Sequence, residues 1–234
     1  MGFTIVNWNV EWATASSPRG KLLRERIWGQ EPDVVCLTEG YTDFFPPGGY
    51  LATASGDYGY RGDERRRKVL LWSREPWLGV CGDEGVENGR YLRATTQTPI
   101  GSITFIGVCI PWKDAHVRTG QRNRQPWEDH HRFLRGLDAL FARLPLTQTV
   151  MLGDYNQQIP RRRAPLVTWQ LLENCLRGRF VVATGGKIEP EAKQTIDHIA
   201  HTPDLKTRRV YSLSNFSEAG KRLSDHFGIV AELE

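Results

Sequence analysis

The feature that most constrains this chain is the placement of its polar residues at the ends of apolar runs. Phe3-Thr4-Ile5-Val6 leads into Asn7-Trp8-Asn9-Val10-Glu11, and Val34-Val35-Cys36-Leu37 leads to Glu39. Thr149-Val150-Met151-Leu152 leads into Gly153-Asp154-Tyr155-Asn156, and Thr195-Ile196 into Asp197-His198, while Ser224-Asp225-His226 precedes a last apolar run. Short apolar runs of this kind fill buried strands. A buried strand has no use for a carboxylate unless something positive waits at its end. Several such carboxylates in one chain imply a shared divalent-cation site, and with it a metal-dependent hydrolase.

The acidic positions span the chain of 234 residues from Asn9 to Asp225. A site assembled from both ends implies one domain over residues 1–234. Composition is that of a globular protein, 39% hydrophobic and 25% charged. No apolar run approaches the ~20 residues of a membrane span. The chain enters Phe3-Thr4-Ile5-Val6 without a basic leader, and Cys36, Cys81, Cys109 and Cys175 show no CxxC spacing. The expectation is a cytoplasmic protein with reduced core thiols, no membrane partner and no obligate protein partner, hence a monomer. Net charge is only +4, but arginines cluster at Arg65-Arg66-Arg67-Lys68, Arg118 to Arg124 and Arg161-Arg162-Arg163. Guanidinium forks fit phosphate oxygens, so the clusters favour a phosphate-bearing substrate.

Periodicity places a strand over Phe3 to Glu11, with Asn7, Asn9 and Glu11 on one face and Val6, Trp8 and Val10 on the other. Pro18 to Gln30 reads as a helix capped by Ser17, and Asp33 to Leu37 as the second strand. Residues 40 to 67 form the longest irregular segment. Further strands are expected at Val69 to Ser73, Tyr91 to Gln97, Ile103 to Ile110, Gln148 to Leu152, Phe180 to Val182, Thr195 to Ala200, Arg209 to Leu213 and Phe227 to Leu233. Helical spacing marks Pro126 to Leu144 and Leu166 to Leu176. His130 and His131 read as surface residues. Strands mixed with fewer helices predict two sheets flanked by helices.

In their order along the chain, these motifs resemble the endonuclease/exonuclease/phosphatase superfamily. Trp8-Asn9-Val10-Glu11 is similar to its first motif, Pro32-Asp33-Val34-Val35-Cys36-Leu37-Thr38-Glu39 to its second, and Lys68-Val69-Leu70-Leu71-Trp72-Ser73-Arg74 to the strand that follows. Gly153-Asp154-Tyr155-Asn156, Thr195-Ile196-Asp197-His198 and Ser224-Asp225-His226-Phe227 match the three C-terminal motifs. The resemblance implies a four-layer α/β sandwich, two mixed sheets face to face with helices outside. It implies that Glu39 is the principal ligand of Mg2+ or Mn2+, with Asn9 beside it and Glu11 and Asp225 completing the ring. Asp154 would hold or deprotonate the attacking water, Asn156 would orient it, and His226, fixed by Asp197, would meet the scissile phosphate. The chain departs from the family at Cys109 or Ile110, where many members place a Tyr or His. Lys113, His116 or an arginine between Arg118 and Arg124 is expected to supply that donor.

Elementary chemistry agrees with this division of labour. A phosphodiester repels hydroxide, so hydrolysis needs charge neutralisation and a base. Hard carboxylate and amide oxygens suit Mg2+. A nuclease acting on DNA or RNA is the leading expectation, with Arg65, Arg66, Arg67, Trp112, Lys113 and His116 on the substrate and Trp12, Tyr58, Tyr60 and Trp112 available to stack on bases. The alternatives are a phosphatase or phosphodiesterase of a small phosphorylated metabolite, inositol phosphate or lipid head group, and a binding module without catalysis.

Overall fold

A computed structural model describes residues 2–82, 84–86 and 89–234. The chain runs β1 (Phe3–Asn9), α1 (Pro18–Trp28), β2 (Val34–Tyr41), β3 (Tyr50–Thr53), β4 (Arg66–Ser73), β5 (Trp77–Cys81) and β6 (Tyr91–Thr98). It continues through β7 (Gly101–Cys109), α2 (Glu128–Phe141), β8 (Thr149–Asp154), α3 (Leu166–Leu176), β9 (Val181–Val182) and β10 (Lys187–Ile188). It ends with β11 (Lys193–Gln194), β12 (Asp197–His201), β13 (Thr207–Leu213) and β14 (Gly228–Leu233). The first six-stranded sheet has the order β13-β14-β1-β2-β4-β3 and the second β5-β6-β7-β8-β12-β9, with β10 and β11 a separate hairpin.

Each central strand is apolar on both faces, which is why the sequence shows runs rather than clean alternation. Phe3, Ile5, Val69 and Leu71 meet Phe105, Val150, Leu152 and Ile199 between the sheets. The alternate residues Val6, Trp8, Val35 and Leu37 pack under Leu23 and Ile27 of α1. On the far side, Ile106, Val108 and Met151 pack under Phe133 and Leu137 of α2 and Leu172 of α3. The result is the expected four-layer α/β sandwich. Helix α1 starts as its sequence predicts, with Ser17 Oγ accepting from Gly20 N at 3.1 Å and Pro18 in the first turn.

Two pairings are parallel, β1 with β2 and β7 with β8, each crossing over through a helix. The C-terminal ends of these four strands therefore lie at one end of the sandwich. Strands β12 and β14 run antiparallel to β8 and β1, so their N-terminal ends arrive at the same place. That single topological fact gathers Asn9, Glu39, Cys109, Asp154, Asp197 and the Asp225-His226 pair.

Several boundaries differ from expectation. β2 runs on to Tyr41, so Glu39 lies inside the strand, at a left-handed φ of 52°. β3 and the start of β4 fall within the segment expected to be irregular, and β5 has no counterpart among the expected strands. β3 and β5 are edge strands, largely solvent-facing, so no long apolar run announces them.

Gly153 is the tightest point of the frame. Its φ is 135°, and an added Cβ would lie 1.9 Å from the Val108 carbonyl oxygen of the neighbouring strand. The obstruction is backbone rather than a flexible side chain, so relief would require moving β7 away from β8. Gly153→Ala is expected to destabilise the fold by more than ~2 kcal/mol, since both backbone strain and a backbone clash act there. The check is a urea midpoint against the wild type, and an unchanged midpoint would contradict the close approach.

Candidate active site

Asp154 ends β8 and is buried. Its carboxylate accepts from Asn156 N at 2.8 Å on one oxygen and from Asn156 Nδ2 at 3.1 Å and Asn9 Nδ2 at 3.2 Å on the other. Asn156, at a φ of 53°, also donates to the Ile110 carbonyl at 2.8 Å. Asp197 stands directly across the ladder from Asp154. One Asp197 oxygen accepts from His226 Nδ1 at 2.5 Å, and the other is buried with no hydrogen-bond partner among the described residues. Ligand atoms of Asp154, Asp197 and His226 lie within 4.8 Å of one another.

This crowding sets the charges. Burial first, and the Asp197 charge second, push the Asp154 carboxyl up to about 7, against the lowering pull of His226 and the Asn156 amide. For His226, burial alone would lower the pKa. The charge of Asp197, the hydrogen bond to it, and the charges of Asp154 and Asp225 reverse that and raise it to about 10. Near neutrality the site thus holds an imidazolium clamped to one carboxylate beside a second carboxylate able to gain or lose a proton.

The loop that carries His226 is fixed at three points. Ser224 Oγ donates to Asn9 O at 2.7 Å and accepts from His226 N at 3.2 Å. Trp8 Nε1 donates to His226 O at 2.9 Å. Behind Asp154, His130 Nδ1 donates to Pro111 O at 2.6 Å, Gln157 Nε2 donates to His130 Nε2 at 2.8 Å, and His198 Nε2 donates to Gln157 O at 2.9 Å. Burial lowers both His130 and His198 to about 4, which keeps them neutral. His130 is therefore not a surface residue. It faces inward from the first turn of α2, a direction that the adjacent His-His pair does not reveal.

The residues expected to hold metal are differently placed. Asn9 Oδ1 accepts from Glu11 N at 3.0 Å. Glu39 receives Lys68 Nζ at 2.6 Å. Asp225, with a side chain 48% exposed, lies 3.7 Å from His226 Nε2. The Glu11 carboxylate is taken by Arg19 at 3.1 Å and Arg222 at 3.4 Å, and Arg19 also donates to the Glu11 and Leu223 carbonyls. Glu11 thus pins the first strand to α1 and the last loop, and those two guanidinium groups already balance its charge.

Among the residues expected on the substrate, Trp112 and Lys113 are exposed and line a cavity of about 550 Å³ with Trp127, Asn156 and Arg163. His116 is buried instead, its Nδ1 accepting from Gln121 N at 3.1 Å and its ring 4.4 Å from that of Tyr60. It packs within its own loop. Arg65 pairs with Asp43 and Asp63, both at 2.7 Å. Arg66 lies over Trp12 at 4.9 Å and donates to Tyr41 Oη at 3.0 Å, and Arg67 donates to the Glu64 and Arg66 carbonyls. The aromatics are likewise packed on one another, Tyr58 stacking on Trp12 at 6.0 Å and on Tyr60 at 6.1 Å.

Two cations stand closer to the site than the sequence suggests: Arg90, and Lys68, which reads there as the last residue of an arginine cluster. Lys68 stands beside Glu39, and Arg90, also buried, donates to Cys109 O at 3.3 Å. The available signal for Lys68 was its place at the start of an apolar strand, which is as odd for a lysine as for a carboxylate. Arg90 precedes the run Tyr91 to Gln97 in the same way, and only the pairing of β6 with β7 puts it against Cys109.

A sequence model described as the Endonuclease/Exonuclease/phosphatase family matches residues 6–226. No curated protein matches the sequence significantly. Among solved structures, the 3′ phosphatase NExo from Neisseria bound to a product DNA hairpin superposes with a TM-score of 0.70 at 17% identity, covering 99% of each chain. A humanized D. rerio TDP2 gives 0.68 at 13% identity over 100% of this chain and 99% of that one. Beta toxin from Staphylococcus aureus with bound magnesium ions gives 0.63 at 13% identity over 99% of each.

The raised pKa values make stability depend on pH in a defined direction. His226 contributes stability fully below its ordinary 6.5 and loses it as pH rises towards about 10. Asp154, raised from 3.8 to about 7, costs stability as it ionises across that interval. In metal-free protein the urea midpoint should fall with rising pH, and the difference between wild type and His226→Asn should shrink between pH 6.5 and about 10. A difference independent of pH over that range would contradict the ion pair.

Proposed function

The chain belongs to the endonuclease/exonuclease/phosphatase family, whose members are metal-dependent hydrolases of phosphoester bonds, and we propose that it hydrolyses phosphodiester bonds of nucleic acid with Asp154, Asp197 and His226 at the reacting phosphate. The observation that carries this reading is the pairing of a carboxyl poised near neutrality with an imidazolium, held at the end of the sandwich where four strands stop.

The donor set fits a hard divalent cation. Glu39, Asp154, Asp197 and Asp225 offer carboxylate oxygens, Asn9 offers an amide, and one buried Asp197 oxygen has no hydrogen-bond partner among the described residues. Glu39, Asn9 and Asp225 would hold the ion, which supplies charge neutralisation at the phosphate. Asp154 takes the proton of the attacking water, because its pKa leaves it partly ionised at neutral pH and yet basic enough to accept. Asn156 and Asn9 keep that carboxylate in one orientation. His226 presents Nε2–H to the phosphate while Asp197 holds its other nitrogen, so positive charge stands where negative charge builds.

The cavity beside Asn156 supports nucleic acid as substrate. Trp112, 43% exposed, offers a stacking face, and Lys113 and Arg163 are exposed at the rim. The Neisseria relative bound to a DNA hairpin agrees with that choice.

Asp154→Ala and Glu39→Ala are each expected to lower turnover by orders of magnitude while the protein still folds, and EDTA should abolish wild-type activity. The panel is DNA, RNA and a small phosphomonoester. Turnover of the small ester alone would replace the nuclease reading with a metabolite phosphatase, and full activity in excess EDTA would reject both.

The rim should also separate the arginine groups. Lys113→Ala with Arg163→Ala is expected to flatten the dependence of oligonucleotide affinity on salt, by a slope of about one for each phosphate that is no longer neutralised. Arg65→Ala should change it less, since Asp43 and Asp63 already occupy that guanidinium. Fluorescence anisotropy over a salt series reads both slopes.

A further inference from the structure

The end of β7 is where this chain lacks a phosphate-facing hydroxyl or imidazole. Cys109 stands there, buried, with burial first and nearby carboxylates next pushing its thiol up to about 12 despite Lys68 and Arg90. It is a neutral thiol and a weak donor. Of the residues expected from sequence to replace the donor, His116 and Arg124 are held by other partners, Arg124 Nε lying 2.7 Å from Asp129. Lys113 stands on the cavity rim, 3.7 Å from Asp114, and Arg118 and Arg122 are exposed on their loop.

Lys68 is differently placed. Its strand lies beside β2, so its side chain reaches the same end of the sheet from the neighbouring position. It is 8% exposed, and its ammonium is 2.6 Å from Glu39 Oε1. The rings of Trp12, Tyr58 and Tyr60 surround it, with centroids at 5.1, 5.6 and 6.0 Å. The aromatic faces fix a cation without accepting its hydrogen bonds in the plane of a carboxylate. Glu39 takes one of three N–H groups, and among the described residues no other acceptor lies within hydrogen-bond distance. Its charge is felt at Cys109 more strongly than that of any other group, and Cys109 lies directly across the parallel ladder from Asp154.

We propose that Lys68 contacts a non-bridging oxygen of the scissile phosphate and supplies the donor that the end of β7 lacks. This rests on the phosphoester reading of the Asp154 site. The aromatic box holds the ammonium rigid, Glu39 orients it, and its two remaining N–H groups meet the phosphate. Lys68 is then a catalytic residue in the strict sense, since it touches substrate, and it explains a lysine at the head of a buried strand.

The test uses the full chain with Mg2+ present and inorganic phosphate as the probe, by calorimetric titration of wild type, Lys68→Met and Lys68→Arg. Lys68→Met is expected to weaken phosphate binding by about tenfold or more and lower kcat on a phosphodiester by about a hundredfold. Mn2+ affinity should stay within a few-fold or rise, because Glu39 is freed from its ion pair. Lys68→Arg should recover part of the phosphate binding. Unchanged phosphate affinity in Lys68→Met would overturn the proposal. So would loss of Mn2+ binding and of melting temperature in step with activity, which would leave Lys68 only a partner of Glu39. If Lys68→Met does not fold, Lys68→Gln, which keeps a neutral donor to Glu39, takes its place; loss of the charge should still weaken phosphate binding several-fold, and unchanged phosphate affinity would overturn the proposal. Wild-type failure on every phosphoester would defeat the hydrolase reading alone, and the phosphate titration would still decide the role of Lys68.

Discussion

Two carboxylates, Asp154 and Asp197, face each other across an antiparallel ladder inside the molecule, where water cannot dilute their repulsion. Much of the surrounding structure answers that constraint. Amide donors from Asn9 and Asn156 spread the charge of one, and an imidazolium neutralises the other. Leaving either charge unanswered would cost several kcal/mol. Burial first, and that repulsion second, hold one proton on Asp154 near neutrality.

The backbone keeps these groups in register. The two sheets approach closely where Gly107 faces Val69 and Leu71, since a Cβ there would lie 2.6 Å from Val69 Cγ1. Asn7 crosses the gap, donating to the Gly153 and His198 carbonyls at 3.2 and 3.3 Å. Thus the strand that carries Asn9 is tied to the two strands that carry Asp154 and Asp197. The anchoring of the last loop through Trp8 and Ser224 uses the same strand again. β1 is the shared reference for every part of the site, and the ion pairs of Glu11 with Arg19 and Arg222 secure its exit.

Legibility in the sequence followed burial. Val34 to Leu37, Ile103 to Cys109 and Val150 to Leu152 are largely buried, so their apolar runs announce strands, and Glu39 and Asp154 stand out after the first and the last. α3 was legible to the residue, because Pro165 and the apolar spacing frame it. The edge strands β3 and β5 were not, since one-sided or solvent-facing strands carry mixed residues that read as loop. Among the residues set out for a site, Asn9, Asp154, Asn156, Asp197 and His226 come together, whereas His116 turns inward and Arg65 is occupied by neighbouring acids. A charged residue in a loop reads alike whether its partner is a phosphate or an adjacent aspartate.

The sequence by itself determined most of the strands and helices and the order of the strands' polar termini, because hydrophobic period and strand-end polarity are local properties. Only the tertiary structure decided which charges meet. Lys68 reaches Glu39 through strand pairing, Arg90 reaches Cys109 across another ladder, and His130 joins a buried relay through Gln157. Pairings of this kind separate partners by tens of residues, and no periodicity along the chain encodes the partner that a side chain will find in space.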